Sequence, residues 1–173
     1  LAGRRPRMGA VVFDAPGRTA RAEKYPEYKS QRAPMPDDLA AQLATVDRLV
    51  AAHRFPLLRV PGVEADDVIA TLVRRHVGEL DCVVVTGDKD LMQLVSDHVT
   101  LFDSMKDRRI SYPEVEEKFG CAPEQVPDAL GIWGDSSDNI PGVKGIGEKG
   151  VKALLAQWKG LDDIYAHIDE VTP

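Results

Sequence analysis

The sequence predicts an α/β fold followed by a helical region, and three observations support that prediction. Up to about residue 111, short β-branched segments alternate with segments of helical periodicity, which is typical of an open, mostly parallel sheet flanked by helices. Acidic residues stand directly after several of these segments. Beyond residue 111, short helical patterns follow one another at proline and glycine turns. We therefore divide the chain into residues 1–111 and residues 112–173.

Four segments in the first part have strand character, namely residues 10–13, 57–60, 82–86 and 99–102. Helical spacing of apolar residues predicts helices over residues 38–54, 64–76 and 90–95. In the second part, the segments YPEVEEKFG, PEQVPDALGIW, GEKGVKALLAQW and LDDIYAHI are predicted to be helices, with no strand among them.

Length and composition exclude several classes of protein. The chain has 173 residues, of which 43% are hydrophobic, and this suffices for one buried core. It contains neither an apolar segment of the ~20 residues that a membrane span needs nor a signal-peptide pattern. Cys82 and Cys121 have no metal-ligand spacing, and the four histidines are scattered. We expect a cytoplasmic protein with reduced cysteines and no membrane association.

Eight acidic residues form four groups at predicted strand ends, a helix start and a loop. They are Asp14, Glu64, Asp66, Asp67, Asp88, Asp90, Asp135 and Asp138. Ligand sites of open α/β sheets lie beyond the carboxyl ends of the strands, which is where Asp14, Asp88 and Asp90 are expected. Glu64 and Asp67 are three residues apart at a helix start, so they share a helix face.

Oxygen ligands without histidine or cysteine favour hard divalent cations, which also relieve the repulsion between carboxylates. We therefore predict two Mg²⁺ or Mn²⁺ ions, about 4 Å apart in the arrangement that suits in-line phosphoryl displacement. The formal charge of −6 at first argues against a nucleic-acid partner, but without the eight carboxylates the remainder carries +2. The acidic total therefore does not exclude a phosphate polymer as substrate.

Each group of acids also has a simpler explanation when it is taken alone. Acidic residues in the first turn of a helix interact favourably with the helix dipole, so EADD is also explained by capping. The sequence DKD is also explained by a turn. The metal prediction depends on the four groups occurring together.

Two further segments carry basic or glycine-rich patterns. Residues 16–37 are basic, rich in proline and too long for an ordinary connection, so they are either a functional loop or a solvated one. The segment GVKGIGEKG places glycines and lysines before a helical pattern. Such a turn binds a phosphate at the helix start or simply joins two packed helices.

Together these motifs resemble a known family. VFDA, PEYKSQR, EADD, TGDKD and GDSSDNIPGVKGIG occur in the order found in the 5′-nuclease domain of bacterial DNA polymerase I and related flap endonucleases. The resemblance covers roughly residues 9–170. It implies a PIN-like 5′-nuclease fold followed by a helix–hairpin–helix region. It also implies a metal-dependent, structure-selective 5′-nuclease of DNA replication and repair.

The resemblance implies roles for the acidic residues. Asp14, Glu64 and Asp66 would bind one divalent ion, and Asp88, Asp90 and Asp138 would bind the other. Asp67 and Asp135 would stand in the outer shell of the ions.

It also implies two contacts with DNA. GVKGIGEKG resembles the helix–hairpin–helix element, whose backbone amides contact a duplex phosphate away from the cut. There Gly142, Gly145 and Gly147 would allow close approach, Lys144 and Lys149 would add positive charge, and K⁺ would bind at the turn. PEYKSQR resembles the arch that receives a 5′ single strand, where Lys29 and Arg32 would act on the scissile phosphate and Tyr28 would pack or stack.

The family has a further metal-binding aspartate on a strand tens of residues before VFDA, and this chain starts at LAGRRPRMG. We therefore expect an N-terminally truncated piece of a monomeric bacterial protein, followed by a polymerase domain, whose substrate is DNA with a 5′ single-strand/duplex junction. One alternative is a non-catalytic module that binds DNA junctions, because the first aspartate is absent. Another is a metal-dependent small-molecule phosphatase, which would use the acids but neither the glycine turn nor the basic loop.

Overall fold

In the computed structural model, which describes residues 6–171, the chain forms two compact units. The first unit is Leu1–Ile69 and the second is Ala70–Pro173. The predicted division near residue 111 stays a prediction. No helix within residues 6–171 has both the length and the apolar character that crossing a bilayer requires.

The first unit contains a small parallel sheet and two complete helices. Strand β1 (Val11–Val12) pairs in parallel with β2 (Leu57–Leu58), and Val11 lies opposite Leu57. Helix α1 spans Ala20–Lys24 and helix α2 spans Asp37–Ala52. Helix α3 (Ala65–His76) begins in this unit, directly after Glu64. None of residues 6–69 is fully buried.

The basic segment 16–37 contains helix α1, which the sequence analysis did not predict. The side chain of Thr19 accepts a hydrogen bond from the amide of Ala22 and caps the helix. Its composition, ARAEK, favours a helix, but five residues are too few for an apolar periodicity to be visible. After α1 the chain turns again, and Lys29 has a left-handed backbone conformation with φ of 55°.

The sheet of the second unit combines parallel and antiparallel pairing. Strand β3 (Cys82–Val85) is parallel to β4 (Val99–Asp103), and β5 (Arg108–Ile110) is antiparallel to β4. The predicted α/β class is confirmed, and β1 to β4 lie at the four predicted strand segments. Strand β5 was not predicted, because RRI is short and mostly charged. It forms because Asp103 closes the turn before it, accepting hydrogen bonds from the amides of Met105 and Lys106 at 3.0 and 3.3 Å.

The helices of the second unit pack around a buried apolar core. They are α4 (Tyr112–Phe119), α5 (Val126–Trp133), α6 (Glu148–Gln157) and α7 (Leu161–Ala166), with 3₁₀ turns at Asp90–Leu94, Pro123–Gln125 and Ile168–Glu170. Leu101, Val115, Val126, Ala129 and Val151 are at most 1% exposed. The sheet and three helices therefore share one core, which fixes the loops between them.

The prediction that no strand follows residue 112 is wrong at one place. Strands β6 (Gly134–Asp135) and β7 (Ile140–Pro141) form a small antiparallel ladder within GDSSDNIP. Asn139 takes a left-handed conformation with φ of 58°, which lets the chain reverse. Neither GD nor IP contains an apolar, β-branched run like those by which β1 and β2 were predicted, so only the fold could show these two strands.

This ladder brings two glycines into backbone contact. A Cβ on Gly142 would lie 2.1 Å from the carbonyl oxygen of Trp133, and a Cβ on Gly134 would lie 2.3 Å from the amide nitrogen of Gly142. Real Cβ atoms do not approach a backbone so closely, so both positions require glycine. Residues 134–142 therefore lie flat against the end of α5.

We expect Gly142→Ala to lower the free energy of unfolding by about 2 kcal/mol or more, because the added methyl group displaces the backbone of Trp133. Urea denaturation measures the change. Gly78→Ala is the matched control, since a Cβ there meets nothing within 4 Å, and it should leave the free energy of unfolding within about 1 kcal/mol of the parent. Equal stability of the two variants would contradict the proposed backbone contact.

Candidate functional site

The first unit gathers four acids, which we call the N-terminal acidic cluster: Asp14, Glu64, Asp66 and Asp67. Asp14 follows β1, and its Oδ1 accepts a hydrogen bond of 2.7 Å from the amide of Ala65, the first residue of α3. Asp67 accepts one of 3.0 Å from the amide of Glu64. Asp14 and Asp67 therefore both bind the N-terminal end of α3, which holds them beside Glu64 and Asp66.

Cations from residues 16–37 bind this cluster. Arg21 donates to Asp67, with a distance of 2.7 Å between Nη2 and Oδ1. Lys29 Nζ lies 2.8 Å from one oxygen of Glu64, and the hydroxyl of Tyr28 donates to the other at 2.8 Å. The hydrogen bond from Arg21 holds the pKa of Asp67 below its ordinary value. The repulsion between these carboxylates is thus relieved by the chain itself.

The structure places two of the three predicted arch residues, Tyr28 and Lys29, against Glu64. Arg32 follows one turn later, and its amide donates to the carbonyl oxygen of Lys29 at 3.1 Å. Arg21 was not predicted from the sequence. Its signal was an arginine in the same basic segment, but the sequence does not show that α1 carries it to Asp67. The catalytic roles of Lys29 and Arg32 stay predictions.

The second unit gathers the other four acids, the C-terminal acidic cluster: Asp88, Asp90, Asp135 and Asp138. Asp88 and Asp90 follow β3, and Asp88 Oδ1 accepts a hydrogen bond of 2.9 Å from the amide of Asp90. Asp135 and Asp138 are only 5% and 9% exposed. Ser137 donates to Asp135 from its amide and its hydroxyl, at 2.8 and 2.6 Å. The loop GDSSDN is therefore folded around buried carboxylates.

Lys89 is the cation of this cluster, and the sequence analysis missed it. Its Nζ lies 2.8 Å from Oδ2 of Asp135, in an ion pair with a nearly buried carboxylate. Burial alone would raise the pKa of Asp135, but Lys89 and Ser137 hold it at about 2. The ion pair ties the loop after β3 to β6. A single lysine inside the acidic motif TGDKD was the only sequence signal for it.

Asp90 is the least compensated acid of the cluster. Burial, with the charges of Asp88 and Asp135, raises its pKa to about 6. Its Oδ1 is buried and has no hydrogen-bond partner within the described part of the chain. A buried oxygen of this kind is costly unless a cation or donor reaches it. The donor set, oxygen atoms of aspartate only, fits a hard divalent cation.

The side chains are not arranged as a finished metal site. Among residues 6–171, no group of three or more histidine, cysteine, aspartate or glutamate side chains is placed to hold a metal ion. Instead, three of the eight acids form ion pairs with basic side chains: Asp67 with Arg21, Glu64 with Lys29 and Asp135 with Lys89. The assignment of all eight acids to metal binding therefore stays a prediction.

The three glycines in the turn between α5 and α6 have two different environments. Gly142 packs against backbone, as described above. Gly145 has φ of 87°, and a Cβ on it or on Gly147 would meet nothing within 4 Å. Gly147 precedes the first residue of α6, where backbone amides have no partner within the helix. Lys144 and Lys149 are exposed on either side of this open backbone.

The chain belongs to the 5′-3′ exonuclease family. Residues 1–120 match the family described as "5′-3′ exonuclease, N-terminal resolvase-like domain", and residues 121–173 match "5′-3′ exonuclease, C-terminal SAM fold". The chain is 49% identical to DNA polymerase I of Pseudomonas aeruginosa over 164 residues, which cover 94% of this chain and 18% of that protein. It thus spans about a fifth of the length of the curated relatives it matches.

Two solved structures of bacteriophage T5 proteins share the fold. One is a mutant of the T5 5′-exonuclease, with a TM-score of 0.83 and 27% identity over 96% of this chain and 65% of that one. The other is the T5 D15 flap endonuclease in a pseudo-enzyme-product complex with DNA and metal ions. It has a TM-score of 0.80 and 27% identity over 94% of this chain and 64% of that one. The predicted family and fold are therefore confirmed.

We expect Asp90→Asn to raise the free energy of unfolding of the metal-free protein by about 1–3 kcal/mol at pH 8. The folded pKa of Asp90, about 6, exceeds its ordinary value of 3.8. The stability associated with protonated Asp90 is therefore complete below pH 4 and is lost as pH rises through 6. Urea denaturation in EDTA at several pH values measures it.

The difference between Asp90→Asn and the parent should shrink as pH falls from 6 to 4, because the parent carboxyl becomes neutral in the folded protein over this range. Asp97→Asn, the same charge change at an exposed position, is the control and should show no such trend. A loss of stability in Asp90→Asn at pH 8 would show that the ionised carboxylate is well compensated.

Proposed function

We propose that this chain is the nuclease region of a structure-selective, metal-dependent 5′-nuclease that hydrolyses DNA phosphodiester bonds at 5′ ends or flaps. The observation that carries the proposal is the buried, unsatisfied oxygen of Asp90 among three further carboxylates. Membership of the 5′-3′ exonuclease family supports the same reaction. The T5 flap endonuclease, solved with DNA and metal ions, supports the substrate and the cofactor class.

In this proposal the two acidic clusters each hold a divalent ion, Mg²⁺ or Mn²⁺. Asp14, Glu64 and Asp66 would hold one ion, and Asp88, Asp90 and Asp138 the other. Such ions supply an activated water and stabilise the leaving oxygen. Asp67 and Asp135 are paired with Arg21 and Lys89, and this suits acids that orient their neighbours rather than bind a metal directly.

The contact between Lys29 and Glu64 gives the basic segment a part in the reaction. Glu64 has both oxygens engaged by Lys29 and Tyr28. If Glu64 ligated a cation, its ion pair with Lys29 would weaken, and the ammonium of Lys29 would then contact the scissile phosphate. Arg32, one turn further along the same segment, would contact the same phosphate or its neighbour.

The open glycine turn gives a second contact with DNA. Gly145 and Gly147 leave space at the start of α6, where backbone amides and the helix dipole favour an anion. We assign this position to a backbone phosphate of the duplex, with Lys144 and Lys149 adding positive charge and K⁺ bound at the turn. Gly142 serves the fold of the turn rather than the contact with phosphate.

The relatives suggest the setting of the reaction. They are bacterial DNA polymerases I, of which this chain matches about a fifth. We propose that a polymerase domain accompanies this region in a monomeric protein of the bacterial cytoplasm, and that it acts in DNA replication and repair at junctions of 5′ single strand and duplex.

One observation favours a second candidate, a non-catalytic module that binds DNA junctions. Within residues 6–171, no three potential metal ligands are close enough together to hold an ion, and Glu64 forms an ion pair with Lys29. Such a module would keep the glycine turn and the basic segment. A small-molecule phosphatase would have no use for either, so we do not pursue it.

Cleavage of a labelled 5′-flap substrate by this chain tests the proposal. We expect product with Mg²⁺ or Mn²⁺ and none with EDTA, and we expect Asp138→Asn to remove cleavage while DNA stays bound, since it removes a negative charge facing phosphate. Asp97→Asn is the control and should cleave as the parent does. Tight binding of the flap without cleavage at any metal concentration would favour the binding module instead.

We expect Gly145→Ala to weaken duplex binding and to lower the salt dependence of the affinity by about one phosphate contact, because a methyl group would occupy the open side of the turn. Fluorescence anisotropy at several salt concentrations measures both effects. Circular dichroism checks the fold, since φ of 87° strains alanine. Unchanged affinity in a folded variant would show that the turn only joins two helices.

A further inference from the structure

A cavity of about 360 Å³ lies in the second unit, and none of the eight acids lines it. Its lining comes from the β4–β5 hairpin, from α4 and from the two ends of the α5–α6 turn, Trp133 and Glu148. Gly87 and Met92, which flank Asp88 and Asp90 in the chain, complete it. Three cations line it: Lys106, Arg108 and Lys118. Because Trp133 and Glu148 flank the glycine turn, the cavity adjoins the open backbone at the start of α6.

Two of the carboxylates in the lining belong to the fold. Asp103 is 5% exposed and accepts hydrogen bonds from the amides that close the β4–β5 turn. Glu114 caps α4 through hydrogen bonds of 2.7 and 2.6 Å with the amide and hydroxyl of Ser111. Neither is available to bind a ligand.

The other two carboxylates are paired at the surface. Glu117 lies 3.4 Å from Arg108, and Glu148 lies 2.8 Å from Lys152. The separation of 3.4 Å is long for a bidentate pair, and both partners are more than half exposed, so the pair is weak and Arg108 can exchange it for another anion.

Lys118 forms no ion pair with an acidic side chain among the residues that the structure describes. Its Nζ lies 5.7 Å from the centre of the Phe119 ring. Burial lowers the pKa of Lys118; Lys89, Lys106 and Arg108 lower it further, whereas Asp90 raises it. The other two lining cations are paired, since Lys106 lies 3.6 Å from Asp103 and Arg108 lies 3.4 Å from Glu117. Lys118 is therefore the lining cation that gains most from a bound anion.

We propose that this cavity is a second phosphate-binding subsite, in which Lys118, with Lys106 and Arg108, contacts a backbone phosphate of DNA held at the α5–α6 turn. The inference rests on the proposed function for the identity of the ligand. The chemistry recognised is a phosphate group, which a free phosphate would also supply. Trp133 is 38% exposed and lines the same cavity, so its fluorescence reports on occupancy.

The test compares Lys118→Met with Lys159→Met in the 173-residue chain. Both remove one exposed lysine charge, but Lys159 does not line the cavity. Binding of a 5′-flap duplex is measured in EDTA at several salt concentrations. We expect Lys118→Met to weaken binding by roughly three- to tenfold and to lower the salt slope by about one, uniformly across sequences, and Lys159→Met to stay within about twofold of the parent.

A second arm titrates inorganic phosphate at constant ionic strength while tryptophan fluorescence is recorded. Trp133→Phe identifies the signal, because Trp158, the other tryptophan, stacks on His167 at 4.9 Å. A response to DNA but not to inorganic phosphate supports the backbone as the source. The opposite result has two parts: inorganic phosphate changes the fluorescence only when Lys118 is present, and Lys118→Met binds DNA as tightly as the parent. It would overturn a DNA phosphate as the ligand and show that the cavity binds free phosphate.

Equal DNA affinities for the two lysine variants, without any response to inorganic phosphate, overturn the subsite altogether. If the parent chain binds no DNA, the proposed function fails. The phosphate titration then decides the subsite by itself, since a Lys118-dependent response supports a phosphate site and its absence overturns one.

Discussion

Repulsion between carboxylates that the fold forces together is the constraint on which the rest of this structure depends. Asp135 and Asp138 are nearly buried, and Asp90 has an oxygen that no donor reaches within the described chain. The protein relieves part of the cost with its own cations: Lys89 pairs with Asp135 in the second unit, and Arg21 and Lys29 pair with the acids beside α3 in the first. These ion pairs tie loops to strands and helices, so the same contacts that relieve repulsion also position the candidate site.

Some of these acids have a basic partner and others do not, and this difference bears on their roles. Asp67 and Asp135 each have a basic partner and a pKa below the ordinary value. Asp90 has a raised pKa and an orphaned oxygen. An acid that is already paired gains little from a metal ion, whereas an uncompensated buried carboxylate gains most. The difference depends on which acids the lysine and arginine side chains reach, and for Asp67, Asp90 and Asp135 it agrees with the proposed division into metal ligands and orienting acids. Glu64, a proposed ligand that is paired with Lys29, does not follow this division.

A second constraint, close approach of backbone to backbone, shapes the glycine-rich segment. Gly134 and Gly142 are needed because the β6–β7 ladder lies against the end of α5. Gly145 and Gly147 have open space instead. The segment thus uses half of these glycines to build the turn and leaves the other half facing outward. The ends of the same turn line the cavity that also contains Lys118, so the two proposed phosphate sites adjoin each other at the start of α6.

The α/β class, the positions of β1 to β4 and most of the helices could be predicted from the sequence, because periodicity and local motifs depend on neighbouring residues. The sequence could not show that Arg21, Lys29 and Lys89 pair with the acids, since Arg21 and Asp67 are 46 residues apart. Nor could it distinguish Gly142 from Gly145 or reveal β5, β6 and β7, which contain no β-branched run. Only the tertiary structure decided which cations reach which carboxylates, because charge compensation and close packing depend on distances in space rather than on spacing along the chain.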